Sequence, residues 1–150
     1  MQIIYFEDLK EGDVLWGDEV RVDREEMMAY NLRNDPWPIH VDDEAAARSP
    51  FGGVIASGGY TITLMYRSNL GIYNNPARRW EFLGGLDWKL RFPKPVRPSD
   101  RLRSKITIIS ARPSSTPGRG VLTNLTEMID QDGDAVLSLE AVFFLATRPD

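Results

Sequence analysis

The change of hydrophobic period along the chain is the feature that most constrains its fold. In the second half, apolar and polar residues alternate with a period of two, which is typical of strands in an antiparallel sheet with one covered face. Leu86, Trp88, Leu90 and Phe92, for example, are separated by polar residues. The first half contains segments with helical spacing instead. The sequence therefore predicts an α+β fold in which an antiparallel sheet packs on a helix.

The alternating half predicts four strands. A hairpin is expected between the last two, because the connection 130–134 contains an Asp-Gly pair that supplies the positive backbone angles of tight turns. Residues 112–120 are rich in proline, glycine and serine and are expected to form a loop within the domain. The predicted strands are 86–92, 102–108, 121–129 and 135–147.

The first half predicts a strand followed by helices. A strand is expected at 14–22, and Asp23 is a suitable N-cap for a helix that ends near Asn34. Pro36 and Pro38 disfavour helical geometry in the residues before them, so residues 35–39 are expected to form a stiff, extended loop.

Two more helices are expected before the sheet. Residues 42–48 have acidic residues at their start and predict a short helix. A second helix is expected to open at Gly58 and to run to about Leu70, because apolar residues recur there at helical spacing with few charges. We expect this helix to be central and largely buried.

Composition limits the classes of partner. The chain has 150 residues, 42% hydrophobic and 27% charged, which is ordinary for one globular domain covering residues 1–150. A net charge of −4 disfavours nucleic acid and anionic membrane surfaces as partners. The sequence shows no basic stretch followed by an apolar run, as in a signal peptide, and no apolar segment long enough to span a membrane. We therefore expect a soluble cytoplasmic protein without a membrane partner.

His40 is the only histidine, and the chain has no cysteine. The common zinc ligand sets and cysteine-histidine pairs therefore cannot be assembled within one chain, so no metal site is expected. Acid-base chemistry remains available, because Asp35 lies five residues before His40 and the two side chain types exchange protons near neutral pH. The alternatives are a structural histidine and an aspartate held by turn hydrogen bonds.

Three landmarks occur in order: the loop Asn34 to His40, the segment 51–59 that opens the central helix, and the proline-rich turn 92–100. Together they resemble the MaoC-like dehydratases, which include the (R)-specific enoyl-CoA hydratases. The resemblance extends through nearly the whole chain. It implies one MaoC-like domain with a hotdog fold, in which the sheet wraps around a long central helix, and assembly as a homodimer.

The resemblance also implies an activity, the reversible addition of water to the double bond of a 2-enoyl thioester. The family's acid-base pair maps onto Asp35 and His40, and its thioester-polarising backbone amide maps onto Gly58. Trp37 stands where the family often has asparagine, and Ser57 where it often has histidine. Tyr66 falls near the position where the hydrating enzymes often carry a small hydroxyl residue. Trp37, Ser57 and Tyr66 are therefore expected to shape substrate binding. The resemblance implies no metal or redox cofactor, since coenzyme A is part of the substrate.

Two other functions remain open. A hotdog acyl-CoA thioesterase would use a similar carboxylate and water but attack the carbonyl carbon. A non-catalytic acyl-thioester-binding subunit would keep the fold without turnover. A basic cluster is consistent either with binding the phosphates of coenzyme A or, in our preferred interpretation, with a solvated sheet face. Its members are Arg91, Lys94, Arg97, Arg101 and Arg103.

Overall fold

The computed structural model describes residues 1–150 and contains four α-helices and eight strands. The helices are α1 (Arg24–Asn34), α2 (Pro38–Val41), α3 (Asp43–Arg48) and α4 (Gly58–Tyr73). The strands are β1 (Gln2–Ile4), β2 (Val14–Arg21), β3 (Asn74–Asn75), β4 (Arg78–Trp80), β5 (Phe82–Arg91), β6 (Arg101–Pro113), β7 (Arg119–Ile129) and β8 (Ala135–Ala146). A 3₁₀ turn, Phe6–Asp8, follows β1.

The main sheet has five antiparallel strands in the order β2-β6-β7-β8-β5. The alternation of side chains directs one set into the core, as on β6, where Leu102, Ile106 and Ile108 are buried. The four predicted strands and the hairpin after β7 are confirmed. Three of these strands are longer than predicted: β5 begins at Phe82, and β6 and β7 extend into the predicted loop, which shrinks to residues 114–118. The fourth, β8, ends one residue earlier than predicted, at Ala146.

Helix α4 packs across the sheet and supplies much of the core. Tyr60, Leu64 and Met65 are almost fully buried on it. Close approach depends on Gly17 of β2, since a Cβ there would collide with the Ser68 carbonyl oxygen. The predicted helix is confirmed, although it continues three residues past the expected end at Leu70.

Helices α1 and α2 frame a short extended segment. The Asp23 carboxylate accepts from the Glu26 N–H at 2.8 Å and caps α1 as predicted. The predicted extended loop at 35–39 is wrong in its second part, because α2 begins at Pro38. Proline suits the first position of a helix, where its missing N–H has no intrahelical acceptor to lose. Only residues 35–37 remain outside the two helices.

A second, three-stranded sheet of order β1-β4-β3 was not predicted. Its strands have at most three residues, too few to produce an alternation pattern. It leads directly into β5, which is an edge strand of the main sheet and carries exposed Phe82, Leu83, Leu86 and Trp88. None of the helices has the length and apolarity required to cross a bilayer.

Candidate active site

Asp35 and His40 lie side by side. Asp35 directly follows α1, with its N–H donating to the Asn31 carbonyl at 2.8 Å, and His40 sits on α2. The Oδ2 atom of Asp35 is 3.5 Å from the Nε2 atom of His40. The Asp35 side chain is 38% exposed, whereas the His40 side chain is 10% exposed. The structure therefore brings the predicted pair together at a surface that small molecules can reach.

The His40 ring is oriented by its other nitrogen. Nδ1 lies 2.8 Å from the Ile55 carbonyl oxygen, which can only accept a hydrogen bond. The proton is therefore assigned to Nδ1, so in the neutral ring Nε2 carries the lone pair. The nitrogen that faces Asp35 is thus the one able to take up a proton.

Asn31 on α1 links this helix to α2 and to the residues just before α4. The sequence reasoning missed it. Its side chain is fully buried, and Nδ2 donates to the carbonyls of His40 at 2.9 Å and Ile55 at 3.2 Å. Its Oδ1 accepts from the Ser57 N–H at 3.1 Å. The sequence offered one sign of its importance: Asn31 is a polar residue one helical turn after Met27, and so lies on the same, buried face of α1. A buried asparagine with this set of bonds fixes α2 and the start of α4 relative to α1.

Ser57 and Gly58 form the start of α4 next to this pair. The Ser57 hydroxyl accepts from the Tyr60 N–H at 3.3 Å as the N-cap. Gly58 is the first helical residue, so its N–H has no acceptor within the helix. A Cβ on Gly58 would lie 2.7 Å from Cζ of Phe92, which is half exposed. Any larger residue at position 58 would therefore require a shift of the helix start or of the Phe92 ring, a second neighbour that the sequence reasoning did not place at the site.

Trp37 and Tyr66 occupy different surroundings. Trp37 is 67% exposed and lies at the N-cap of α2. Tyr66 is 54% exposed, packs beside Trp88 with ring centroids 6.3 Å apart, and lines a cavity of about 380 Å³ between α4 and the sheet. The structure therefore places Tyr66, but not Trp37, on the wall of a cavity large enough for a small ligand.

The cavity wall is mostly apolar and includes a second phenol from α4. Trp80 and Phe143 form buried parts of this wall. Tyr73 is also part of the wall, and burial raises the pKa of its phenol to about 12. The Tyr73 hydroxyl therefore stays neutral and serves as a hydrogen-bonding group.

A group of carboxylates occurs in the hairpin between β7 and β8. Asp130, Asp132 and Asp134 are close enough to share a cation. The ammonium of Lys94 already donates to all three, at 2.6, 3.3 and 2.9 Å. Burial tends to raise the pKa of Asp130, but the Lys94 ammonium and the N–H groups of Asp132 and Asp134 outweigh it and hold this pKa below its ordinary value. Lys94 is thus an internal counter-ion rather than a free member of the basic cluster.

The fold and the paired side chains define a class of protein. An antiparallel sheet packed on a long helix, with a carboxylate and an imidazole beside the N-terminus of that helix, is the hotdog arrangement expected of the MaoC-like dehydratases. The sequence matches the family model described as MaoC like domain over residues 8–128. The chain therefore belongs to the MaoC-like domain family.

Individual relatives agree with this assignment. The crystal structure of a MaoC-like dehydratase from Rhodospirillum rubrum superposes with a TM-score of 0.88 at 31% identity, covering 98% of this chain and 99% of that one. A 3-hydroxybutyryl-CoA dehydratase of Methylorubrum extorquens is 26% identical over 93% of this chain and 86% of its own length. The 3-hydroxyacyl-thioester dehydratase Z of Mycobacterium tuberculosis is 34% identical over 61% of each chain. The family thus includes hydratases and dehydratases, and the predicted hotdog fold is confirmed.

Proposed function

We propose that this protein is a hydro-lyase that adds water reversibly to the double bond of a 2-enoyl thioester, with Asp35 and His40 as its acid-base pair. The main support for this proposal is the 3.5 Å distance between Asp35 Oδ2 and His40 Nε2, together with the contact that orients the His40 ring through Nδ1. At that distance the two groups have no short hydrogen bond to each other. Both are free to hydrogen-bond the same water molecule.

The reaction balances with these groups alone. The oxygen of a water held by the pair forms a bond to C3 of the enoyl group, and the pair takes the proton that the water loses. The electrons of the C2–C3 double bond move onto the thioester as an enolate, and a proton returned by the pair to C2 completes the addition. Dehydration is the reverse sequence. The two groups interact, so the pair rather than either residue is assigned the proton steps.

The enolate oxygen needs a hydrogen-bond donor. We assign this role to the backbone N–H of Gly58, which has no intrahelical acceptor and lies at the positive end of the 16-residue helix α4. Ser57 is adjacent, and its own N–H is already held by Asn31, so the helix start is fixed before substrate binds. A preorganised donor of this kind stabilises charge that develops in the transition state.

We propose coenzyme A as the carrier of the acyl group and a homodimer as the working assembly. The 3-hydroxybutyryl-CoA dehydratase named above supports the carrier. The edge strand β5 supports the dimer, since it lacks a partner on one side and exposes Phe82, Leu83, Leu86 and Trp88. Unpaired strand edges with apolar side chains are suited to pairing with another chain. No redox cofactor or metal is needed for the reaction as written.

The test uses purified protein and crotonyl-CoA. We expect loss of the 2-enoyl absorbance without release of free thiol, and formation of 3-hydroxybutyryl-CoA in the (R) configuration. Release of thiol in place of hydration would make the protein a thioesterase. Binding of crotonyl-CoA with neither reaction would favour the non-catalytic acyl-thioester-binding subunit.

A further inference from the structure

The members of the basic cluster differ in what surrounds their charged groups. The Lys94 ammonium is held by three carboxylates. The Arg103 side chain lies on β6 and donates to the Gly17 carbonyl oxygen at 2.7 Å. Arg97 lies outside the strands, in the connection between β5 and β6, and is partly buried. The cluster is therefore not one surface, and Arg97 has surroundings of its own.

The guanidinium of Arg97 has no partner within the chain. It forms no ion pair, and only the backbone N–H of this residue donates a hydrogen bond. The Asp100 carboxylate accepts that N–H at 2.8 Å and a Gln131 side-chain N–H at 3.0 Å. Partly buried guanidinium groups are normally paired with a carboxylate or a phosphate. The unpaired group therefore points to an anion supplied from outside the chain.

The guanidinium borders an open glycine loop. Gly52 and Gly53 follow α3 and lead into the buried segment 54–57 before α4. Around a Cβ built on Gly53, Arg97 Nη1 at 3.9 Å would be the only atom within 4 Å apart from the chain neighbours, and Gly52 has none. The N–H of Gly53 has no acceptor in the chain. A phosphate group thus finds space there, with a guanidinium and a backbone N–H as donors.

This loop lies at a defined distance from the candidate active site. The residues before α4 run antiparallel to those after β5. Gly58 faces Phe92 at one end of the two segments. Gly53 faces Arg97 at the other end. Five residue steps, from 53 to 58, separate the two glycines, which corresponds to at most about 17 Å of chain.

A pantetheine arm has the length that this distance requires. About thirteen bonds separate the thioester sulfur from the phosphorus at the end of the arm, or about 16 Å at about 1.2 Å per bond in an extended chain. A thioester whose carbonyl accepts from the Gly58 N–H can therefore bring that phosphate to Gly53 and Arg97.

We infer that Arg97 binds the phosphate at the end of the pantetheine arm of the substrate, with the Gly53 N–H as a second donor. This inference rests on the proposed function, because the thioester at Gly58 fixes the other end of the ligand. The same phosphate occurs in coenzyme A and in the phosphopantetheine group of an acyl carrier protein, so the probes must separate the two sources.

The test is calorimetric titration with the butyryl thioesters of pantetheine, 4′-phosphopantetheine and coenzyme A. Saturated chains cannot be hydrated, so the measurement does not depend on turnover. We expect the phosphopantetheine thioester to bind about tenfold more tightly than the pantetheine thioester, the effect of one charge-assisted hydrogen bond. A CoA thioester that binds at least as tightly assigns coenzyme A as the source, and one that binds much more weakly assigns a carrier protein.

Two variants connect the phosphate preference to Arg97. Arg97→Met should bring the affinity ratio of the phosphopantetheine and pantetheine thioesters close to one, while the pantetheine thioester binds as before and so reports an intact fold. Arg101→Met is the matched control, since it removes an exposed positive charge of the same cluster on β6, and it should preserve the ratio.

Equal affinities of these two thioesters in the unmodified protein, or an unchanged ratio in Arg97→Met, would overturn the inference. An effect of Arg97→Met on the CoA thioester alone would overturn it as well, because the contact would then lie at the nucleotide. So would absence of binding by all three probes. Failure of the crotonyl-CoA assay with the phosphate preference intact would remove the hydratase proposal and leave this inference standing.

Discussion

The side chain of Asn31 holds the backbone of His40, donating from Nδ2 to the His40 carbonyl oxygen at 2.9 Å inside the protein. The same amide donates to Ile55 and accepts from Ser57, so one buried group connects the imidazole with the start of α4. The relative position of the proton-transfer pair and the Gly58 N–H therefore depends on a residue that touches no substrate in our account.

Replacing Asn31 separates positioning from catalysis. Asn31→Asp keeps an acceptor for the Ser57 N–H but loses the Nδ2 donor to the two carbonyls. We expect kcat for hydration to fall by about tenfold or more with KM nearly unchanged, because small displacements of reacting groups are costly. Steady-state kinetics together with thermal denaturation measure both effects. A fall in melting temperature with unaltered kcat would mean that Asn31 only stabilises the fold.

The contact between Gly58 and Phe92 gives a second prediction. Gly58→Ala keeps the backbone N–H but places a methyl group 2.7 Å from the present position of Phe92 Cζ, so the ring or the helix start must shift. We expect a lower kcat/KM and substantial recovery in the double variant Gly58→Ala, Phe92→Ala. Contacting residues commonly show coupling of about 0.5–3 kcal/mol in such a cycle. Additive effects of the two substitutions would contradict the steric explanation.

Lys94 gives a prediction about acid stability. The pKa of Asp130 is below its ordinary value: burial opposes the shift, and the Lys94 ammonium with two backbone N–H groups overcomes it. A lowered folded-state pKa contributes stability above the ordinary value, near pH 4, and that stability is lost as the pH falls through the folded-state pKa. Lys94→Met should therefore lower the melting temperature strongly at neutral pH and progressively less below about pH 4.

Thermal denaturation across this pH range measures the effect. Lys89→Met is the matched control, because Lys89 lies on the exposed strand β5 and forms no ion pair. It should show a small difference from the unmodified protein at every pH. A Lys94→Met difference that is the same at pH 3 and pH 7 would show that the carboxylates of the hairpin do not need this counter-ion.

The exposed edge strand β5 predicts the assembly. Leu86 is 61% exposed on β5, and a charge at an apolar strand edge opposes edge-to-edge pairing. We expect a dimer in sedimentation velocity experiments and a large fraction of monomer for Leu86→Lys. Leu32→Lys, on the exposed face of α1, is the control and should remain dimeric. A monomer for the unmodified protein would contradict the homodimer proposal.

The sequence predicted the elements whose pattern repeats over several residues. The four long strands and helix α4 were found because burial on one face imposes period two on a strand and period 3.6 on a helix. Helix α2 was missed because Pro38 was interpreted only as a residue that ends helices, whereas it occupies the first helical position. The sheet of β1, β4 and β3 depends on pairing between distant short segments, which leaves no local pattern.

Sequence reasoning located the parts of the candidate site that local chemistry marks. Asp35 and His40 stood out as a carboxylate near the only imidazole, whereas Gly58 was assigned through the resemblance to the MaoC-like dehydratases. Asn31 did not stand out, because an asparagine gains importance only when tertiary structure buries it. Trp37 was predicted to contact substrate, and its exposed side chain leaves that role a prediction.

The most direct test of the acid-base pair compares crotonyl-CoA hydration by the unmodified protein, Asp35→Asn and His40→Asn. The second variant is chosen because an asparagine Nδ2 can replace His40 Nδ1 as donor to the Ile55 carbonyl while removing Nε2. We predict that both variants keep a melting temperature near that of the unmodified protein and lose at least about a hundredfold in kcat. Folded variants that hydrate crotonyl-CoA as fast as the unmodified protein would contradict the assignment.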